Sequence, residues 1–269
     1  MTPFERITSS SNPRIKAAAR LRDAGERRNR GLTLIDGLRE IDRAAAAGVR
    51  FREVFLDETA APPHELLARL EAAGGEPLSL TAAAFAKVAF GSRNEGLVAV
   101  AEVPSFALQH WQPRSTGPLL VLEGVEKPGN LGAILRTADA SGIAGVLVVD
   151  GGTDPANPAT IRASLGTLFS VPVAVASVDD AIDWLAASGR PVVLAVPSSG
   201  TPWHAAPLVR AAIVLGSEAY GISTAWQSAA DDGRLVVAAV SLPMLGVADS
   251  LNVSATAAVL AYEAVRQAT

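Results

Sequence analysis

Three glycine-bearing segments of this 269-residue chain carry polar side chains where apolar strands run out, and chemistry is to be sought there. The first is PGNLGAILRTADASG, residues 128–142. Gly129 and Gly132 let backbone pass close to a partner, Asn130 can cap the following helix, and Arg136 sits six residues further along. The second, IVLGSEAYGIS at 213–223, sends a buried strand straight into Gly216, Ser217 and Glu218, a carboxylate placed to orient a base or a cation. The third, SLPMLGVADSLNVSAT at 241–256, brings Asp249, Ser250 and Asn252 to the start of the last helix, whose free N–H groups attract carboxylate or phosphate. Ser250 reads as that helix's cap, which leaves Asn252, a poor helix former, unexplained inside the first turn. Taken singly, each segment also reads as a capped helix or a tight turn. None follows GxGxxG or the phosphate-loop pattern, so a dinucleotide site and a P-loop are both unsupported.

The elements that must hold these loops come from the periodicity. PLLVLEGV (118–125), VLVVD (146–150), FSVPVAVA (169–176), PVVLAVP (191–197), AAIVLG (211–216) and RLVVAAVSLP (234–243) are continuous apolar runs, as a sheet buried on both faces requires. Helical stretches at 131–141, 157–167, 178–188, 223–230 and 250–267 alternate with them, which predicts a mostly parallel, doubly wound α/β sheet. In such sheets ligands bind at the carboxyl ends of strands, where the three loops fall.

Ahead of this lies a smaller α/β unit of about a hundred residues, with a basic helix at 14–30, strands at 32–36, 51–57, 77–80 and 96–103, and helices between them. PSFALQHWQPRSTG (104–117) has two prolines and no clear period and reads as a linker. The division expected is therefore 1–103, a linker 104–117, and 118–269.

Composition narrows the chemistry. With 49% hydrophobic residues a real core is assured. Without cysteine, disulfides, zinc–thiolate centres and thiolate nucleophiles are excluded. The acidic residues have no metal-ligand spacing, so no metal is expected. The opening MTPFERITSS has no signal-type apolar run, and the stretch 235–248 falls short of the roughly 18 residues a membrane span needs. A soluble cytoplasmic protein is expected. The net charge of −4 argues against nucleic acid, but residues 1–31 hold Arg6, Arg14, Lys16, Arg20, Arg22, Arg27, Arg28 and Arg30 against Glu5, Asp23 and Glu26. That basic end is either a solvated helix face or a local footprint for RNA, with Arg27 and Arg28 as contacts.

The three loops, in order and at strand ends, resemble the three motifs of the SpoU (TrmH-like) ribose 2′-O-methyltransferases of the SPOUT superfamily, over about 118–269. ITSSSNPRIK (7–16) and LIDGLREI (34–41) resemble the opening of the ribosomal-protein-L30-like RNA-binding domain found ahead of that catalytic domain. Asp36 and Asp249 stand where the family has glutamate. The resemblance implies a deep trefoil knot in the catalytic domain, a homodimer with its active site at the subunit interface, and S-adenosylmethionine as cofactor. It places the cofactor against Gly216, Leu242 and Leu251, with Met244 beside them and Ala195 contributing from a strand end. It makes Arg136 the catalytic arginine, with Asn130, Glu218, Ser250 and Asn252 orienting it and the incoming ribose. Arg162, in ATIRASLGTLF (159–169), would contact the RNA phosphate next to the target, or is a surface arginine.

A free guanidinium titrates above about 12 and is a poor base. Arg136 would thus either relay a proton with help from a substrate phosphate or stabilise the developing alkoxide. His64, His110 and His204 are the three histidines, and none lies in a motif. The substrate expected is RNA, 23S ribosomal RNA first and transfer RNA as the alternative. The rival readings are a non-catalytic L30-like RNA-binding protein, a nucleotide-dependent oxidoreductase, and a knotted enzyme that methylates a base nitrogen.

Overall fold

Asn12 sets the first regular turn of the chain: its side chain accepts from Arg14 N at 2.8 Å, with Pro13 pre-set for the first helical position. The computed structural model describes residues 4–90 and 95–269. Over them the chain forms two compact units, Met1–Pro104 with Asp154–Ser170, and Ser105–Thr153 with Val171–Thr269. Residues 1–3 of the opening segment lie outside the described residues.

The elements of the first unit are β1 (Glu5–Ile7), α1 (Pro13–Arg20), α2 (Ala24–Arg30), β2 (Leu32–Asp36), α3 (Leu38–Ala46), β3 (Phe51–Asp57), α4 (His64–Ala72), β4 (Glu76–Leu80), α5 (Ala82–Val88) and β5 (Leu97–Glu102). The basic stretch 14–30 is two helices, not one. Asp23 breaks it by accepting from Glu26 N at 3.0 Å and so capping α2. Among the described residues the sheet runs β1-β4-β3-β5-β2, with β5 antiparallel to both β3 and β2. Ile15, Leu21, Leu34, Phe55, Leu78 and Phe85 fill one side of it.

The second unit begins with a 3₁₀ turn at Leu108–His110 and continues with β6 (Leu119–Glu123), α6 (Pro128–Ser141) and β7 (Gly145–Val149). The chain then makes α7 (Pro158–Ala163), which belongs to the first unit, and returns through β8 (Val173–Ala176), α8 (Val178–Ser188), β9 (Val192–Ala195), β10 (Thr201–Pro202), β11 (Ala212–Leu215), α9 (Ala225–Asp231), β12 (Val237–Ser241) and α10 (Val253–Ala268). Among the described residues seven strands, all parallel, are ordered β10-β12-β9-β11-β6-β7-β8. Their centre is buried throughout, as the apolar runs require. No described helix is long and apolar enough to cross a membrane.

Two stretches differ from the expected division. Residues 105–117, read as a linker, are part of the second unit. Trp111 is buried there with its ring 4.8 Å from that of Trp184, and Gly145 leaves room for it, since a Cβ would meet the indole at 2.7 Å. Arg190 donates to the carbonyls of Ser115, Thr116 and Gly117, and Phe106 O accepts from Val175 N at 2.8 Å. Prolines and polar residues hid a segment held mainly by one tryptophan and by main-chain acceptors.

The second stretch is Asp154–Ser170, expected within the catalytic half, which packs with the first unit. Thr33 donates to Ala156 O at 2.6 Å, Arg43 to Leu165 O at 2.8 Å, and Arg27 to Asp154 at 2.8 Å.

Arg27 is 2% exposed. Besides Asp154 it bonds Leu21 O and Arg22 O, each at 2.9 Å. It is therefore a structural cation and not a phosphate contact. Replacing it with methionine strands a carboxylate and two carbonyls, so a loss of about 3 kcal/mol is expected, read as a melting temperature roughly 6–12 °C lower. A thermal shift within a degree of the intact protein would show that Arg27 does not bind the segment in place.

Candidate active site

The first loop enters α6 through Lys127 at the N-cap and Pro128 at the first helical position. Asn130 is thus inside the first turn and not the cap. Its amide is free to turn outward, and Nδ2 donates to Glu218 Oε1 at 3.0 Å. The second loop leaves β11 at Leu215 and closes on itself, with Ser217 and Gly221 exchanging main-chain hydrogen bonds of 3.1 and 3.0 Å. Gly216 is required there: a Cβ would lie 2.2 Å from the Gly221 carbonyl carbon. Glu218 projects from this ring.

The third loop, 242–252, has no regular structure and ends at Asn252, which caps α10 in place of Ser250. Asn252 Oδ1 accepts from Ser254 N at 3.0 Å, and Nδ2 donates to Glu218 Oε1 at 2.9 Å and to Asn130 Oδ1 at 3.2 Å. This answers why asparagine stands there: one end of the amide caps, the other joins the loops. Three segments far apart in sequence therefore meet in one hydrogen-bonded hub of Asn130, Glu218 and Asn252.

Lys127 completes it through an ion pair with Glu218 Oε2. The hydrogen bonds from Lys127, then Asn130, hold the Glu218 carboxyl below the usual carboxylate range. Glu218 is consequently an acceptor at neutral pH and a weak base, suited to orienting donors. Lys127 escaped the sequence reading because a lone lysine before a proline carries no motif. Glu123 escaped it too: buried at the end of β6, it accepts from Trp226 Nε1 at 2.9 Å and from Ser223 N, fixing the far side of the second loop.

Beside the hub lies a pocket of about 390 Å³. Gly216, Leu242, Met244, Leu251 and Ala195 all line it, as do Ser250, Asp249 and Glu218. Leu215 and Ile222 add to an apolar slot whose lining also holds the Glu218 and Asp249 carboxylates. The lining suits a flat base with polar edges linked to a charged group, and so fits S-adenosylmethionine.

Arg136 is exposed on α6 and forms no hydrogen bond or ion pair among the described residues. Six residues put it about 120° around the helix from Asn130 and roughly 9 Å along it, so the two do not share a face. Arg162 lies in the first unit, paired with Asp36 at 3.0 Å and bonded to Phe90 O. Burial raises the Asp36 carboxyl, opposed by the Phe90 N–H and the Arg162 charge. Arg28 is exposed, and no bonded partner is found for it among the described residues. Among those residues no group of three or more His, Asp or Glu is placed to hold a metal ion.

Comparison with known proteins accounts for both units. Residues 117–262 match the SpoU rRNA Methylase family, and residues 12–99 match an MRM3-like substrate binding domain. The chain belongs to the SpoU rRNA methylase family. It is 33% identical to the 23S rRNA (uridine(2479)-2′-O)-methyltransferase of Streptomyces viridochromogenes, over 99% of this chain and 94% of that protein. A solved RNA 2′-O ribose methyltransferase superposes with a TM-score of 0.82 at 38% identity, over 98% of this chain and 99% of that one. An AdoMet-bound rRNA methyltransferase from Sinorhizobium meliloti superposes with a TM-score of 0.86 at 26% identity, over 99% of each chain.

Proposed function

We propose that the protein transfers a methyl group from S-adenosylmethionine to a ribose 2′-hydroxyl of RNA, with 23S ribosomal RNA as the substrate. The observation that carries this reading is the convergence of Asn130, Glu218 and Asn252 from three loops beside the pocket lined by Gly216, Leu242, Met244, Leu251 and Ala195. Bound in that pocket, the cofactor supplies an electrophilic methyl group, and the chain's own residues orient the acceptor oxygen. Glu218, ionised, fixes the two amides. The Asn130 N–H not used within the hub and the Ser250 hydroxyl face the incoming ribose. No histidine lines the pocket.

Arg136 acts as a fixed positive charge against the developing alkoxide, while solvent water takes the proton that the hydroxyl loses as the methyl–oxygen bond forms. Because it lies off the face of α6 that carries Asn130, it acts across a homodimer interface on a partner copy's hub. The exposed Tyr220, Leu245, Val247 and Tyr262 support a second copy packing near this region. The ribosomal substrate places the enzyme in the cytoplasm.

The first unit recruits the RNA. Of the cations in 1–31, Arg6 pairs with Glu58, Arg14 with Glu5, Glu53 and Glu76, and Arg27 with Asp154. Lys16, Arg20 and Arg28 are exposed and unneutralised among the described residues, and these meet phosphate. Reversing all three to glutamate is expected to weaken RNA binding and flatten its salt dependence, each lost contact lowering the log–log slope by somewhat under one unit. An unchanged slope would move the RNA surface elsewhere.

Incubation with labelled cofactor and total RNA tests the reading as a whole. Label in 23S rRNA is expected; label confined to transfer RNA, or none, contradicts it.

A further inference from the structure

The hub contains one residue that the reading above leaves without a task. Lys127 has a side chain 69% exposed, and its ammonium is bonded to Glu218 Oε2. An exposed ion pair of this kind contributes little to stability, too little to account for a lysine at a helix N-cap that offers no capping bond. Its value lies in what the other carboxylate oxygen does.

Glu218 Oε1 accepts from Asn130 Nδ2 and Asn252 Nδ2. Asn252 has no freedom left: Nδ2 serves Glu218 and Asn130 Oδ1, while Oδ1 serves Ser254 N and Ser254 Oγ. Asn130 has one N–H in surplus, and its direction is set jointly by Glu218 Oε1, which accepts the other N–H, and by Asn252 Nδ2, which donates to Asn130 Oδ1 at 3.2 Å. A protonated or rotated Glu218 would leave the Asn130 amide held only through its oxygen, by the bond from Asn252, and would loosen the aim of the surplus N–H.

We propose that Lys127 is a positioning residue for methyl transfer: by holding Glu218 through Oε2 it fixes the acceptor Oε1 and so aims the free N–H of Asn130 at the substrate oxygen. The inference rests on the function proposed above. Lys127 and Asn130 stand three residues apart at the start of α6, so cation and amide approach the carboxylate from one side. The titratable groups sharing the two pockets that meet at Glu218 are Glu126, Tyr220 and Asp249, and Lys127 is the cation among them. The hydrogen bond from Lys127 is also the largest influence that lowers the Glu218 carboxyl below the usual carboxylate range.

The test is Lys127→Met in the full-length protein, read in four ways. At neutral pH Glu218 stays ionised, so the loss comes from orientation, and kcat is expected to fall about ten-fold with little change in KM for RNA. The sign of the pH effect is fixed. The wild-type carboxyl is held below the usual carboxylate range by Lys127 first and then Asn130, so removing Lys127 moves the acid limb of kcat to higher pH. The carboxyl resonance of ¹³C-labelled Glu218 should titrate higher in the variant, a readout independent of turnover. Lys127→Arg should restore most activity, and Lys127→Met should add nothing in a Glu218→Gln background.

An unmoved acid limb with a raised KM would make Lys127 a phosphate contact and overturn the proposal. So would a full additional loss in the Glu218→Gln background. Wild-type protein that labels no RNA while the ¹³C titration behaves as stated would overturn the proposed function and leave the Lys127–Glu218 link standing.

Discussion

Arg136→Ala is expected to abolish methyl transfer while leaving S-adenosylmethionine binding within a few-fold of the intact protein. The pocket proposed for the cofactor is lined from the ends of β9 and β11, the second and third loops and the start of α10, and Arg136 is not among its residues. Truncating an exposed side chain with no hydrogen bond or ion pair among the described residues breaks no such bond there. On the proposed mechanism, what is lost is a fixed positive charge near the developing alkoxide. Such preorganised donors are worth about 10²–10³ in kcat, and more where no general base shares the task. Arg136→Lys should be nearly as impaired, because an ammonium cannot reproduce the planar, multiply donating fork. Calorimetric titration with cofactor alone, beside single-turnover labelling of rRNA, separates the two effects. Turnover of the alanine variant near the wild-type rate would remove Arg136 from the mechanism.

The second large effect concerns the expected domain boundary. A fragment covering 118–269 is expected to fail as a stable folded protein. It discards Trp111 from the core beside Trp184, a loss of about 3–5 kcal/mol by analogy with large-to-small core changes. It also removes Ser115–Gly117 from Arg190, whose guanidinium then loses its bonds to those carbonyls. Asp154–Ser170 remains in the fragment without Thr33, Arg27 and Arg43, the residues that bind it. These losses together approach the 5–15 kcal/mol that holds an ordinary domain. Starting the fragment at Ser105 should recover the tryptophan and the Arg190 acceptors, and with them part of the stability, but should leave the 154–170 segment unbound. Circular dichroism melts of both fragments against the full chain decide it. A cooperative transition for 118–269 near that of the full chain would show that the second half is autonomous.

The sheet of the second unit was legible because a parallel sheet covered on both faces must be written as unbroken apolar runs. LLVLE, GVLVV and AIVL have no other economical reading. The three loops were legible because polar residues beside glycines at strand ends have few structural reasons to be there. Their joining through Asn252 was not legible, since the same amide serves as an ordinary cap and only its second end reveals the hub. Position in the chain misled three times. Residues 105–117 look like a linker because their hold depends on one buried indole and on carbonyls, which composition does not record. Arg27 looks like a phosphate contact because a run of arginines does not say which of them turns inward. Asp154–Ser170 follows β7 in sequence, yet its polar partners lie in the first unit, and such pairing leaves no local signal.

The central claim is that the acceptor is the ribose 2′-oxygen, and the most direct measurement is which atom of the RNA gains the methyl group. Base and ribose methylation add the same mass, but a 2′-O-methyl group removes the internal nucleophile that alkali uses to cleave the chain. The proposed site offers the Asn130 amide N–H and the Ser250 hydroxyl, and the proposed mechanism adds Arg136 from a partner copy. Among the described residues Tyr220 is the aromatic side chain in the pocket lining, too few to stack a flipped base on both faces. After incubation with cofactor, 23S rRNA is expected to contain one new alkali-resistant dinucleotide whose nucleoside releases an unmodified base on glycosidic cleavage. A methylated base, with ordinary alkaline cleavage at that position, would contradict the account and with it the roles assigned to Arg136 and Asn130.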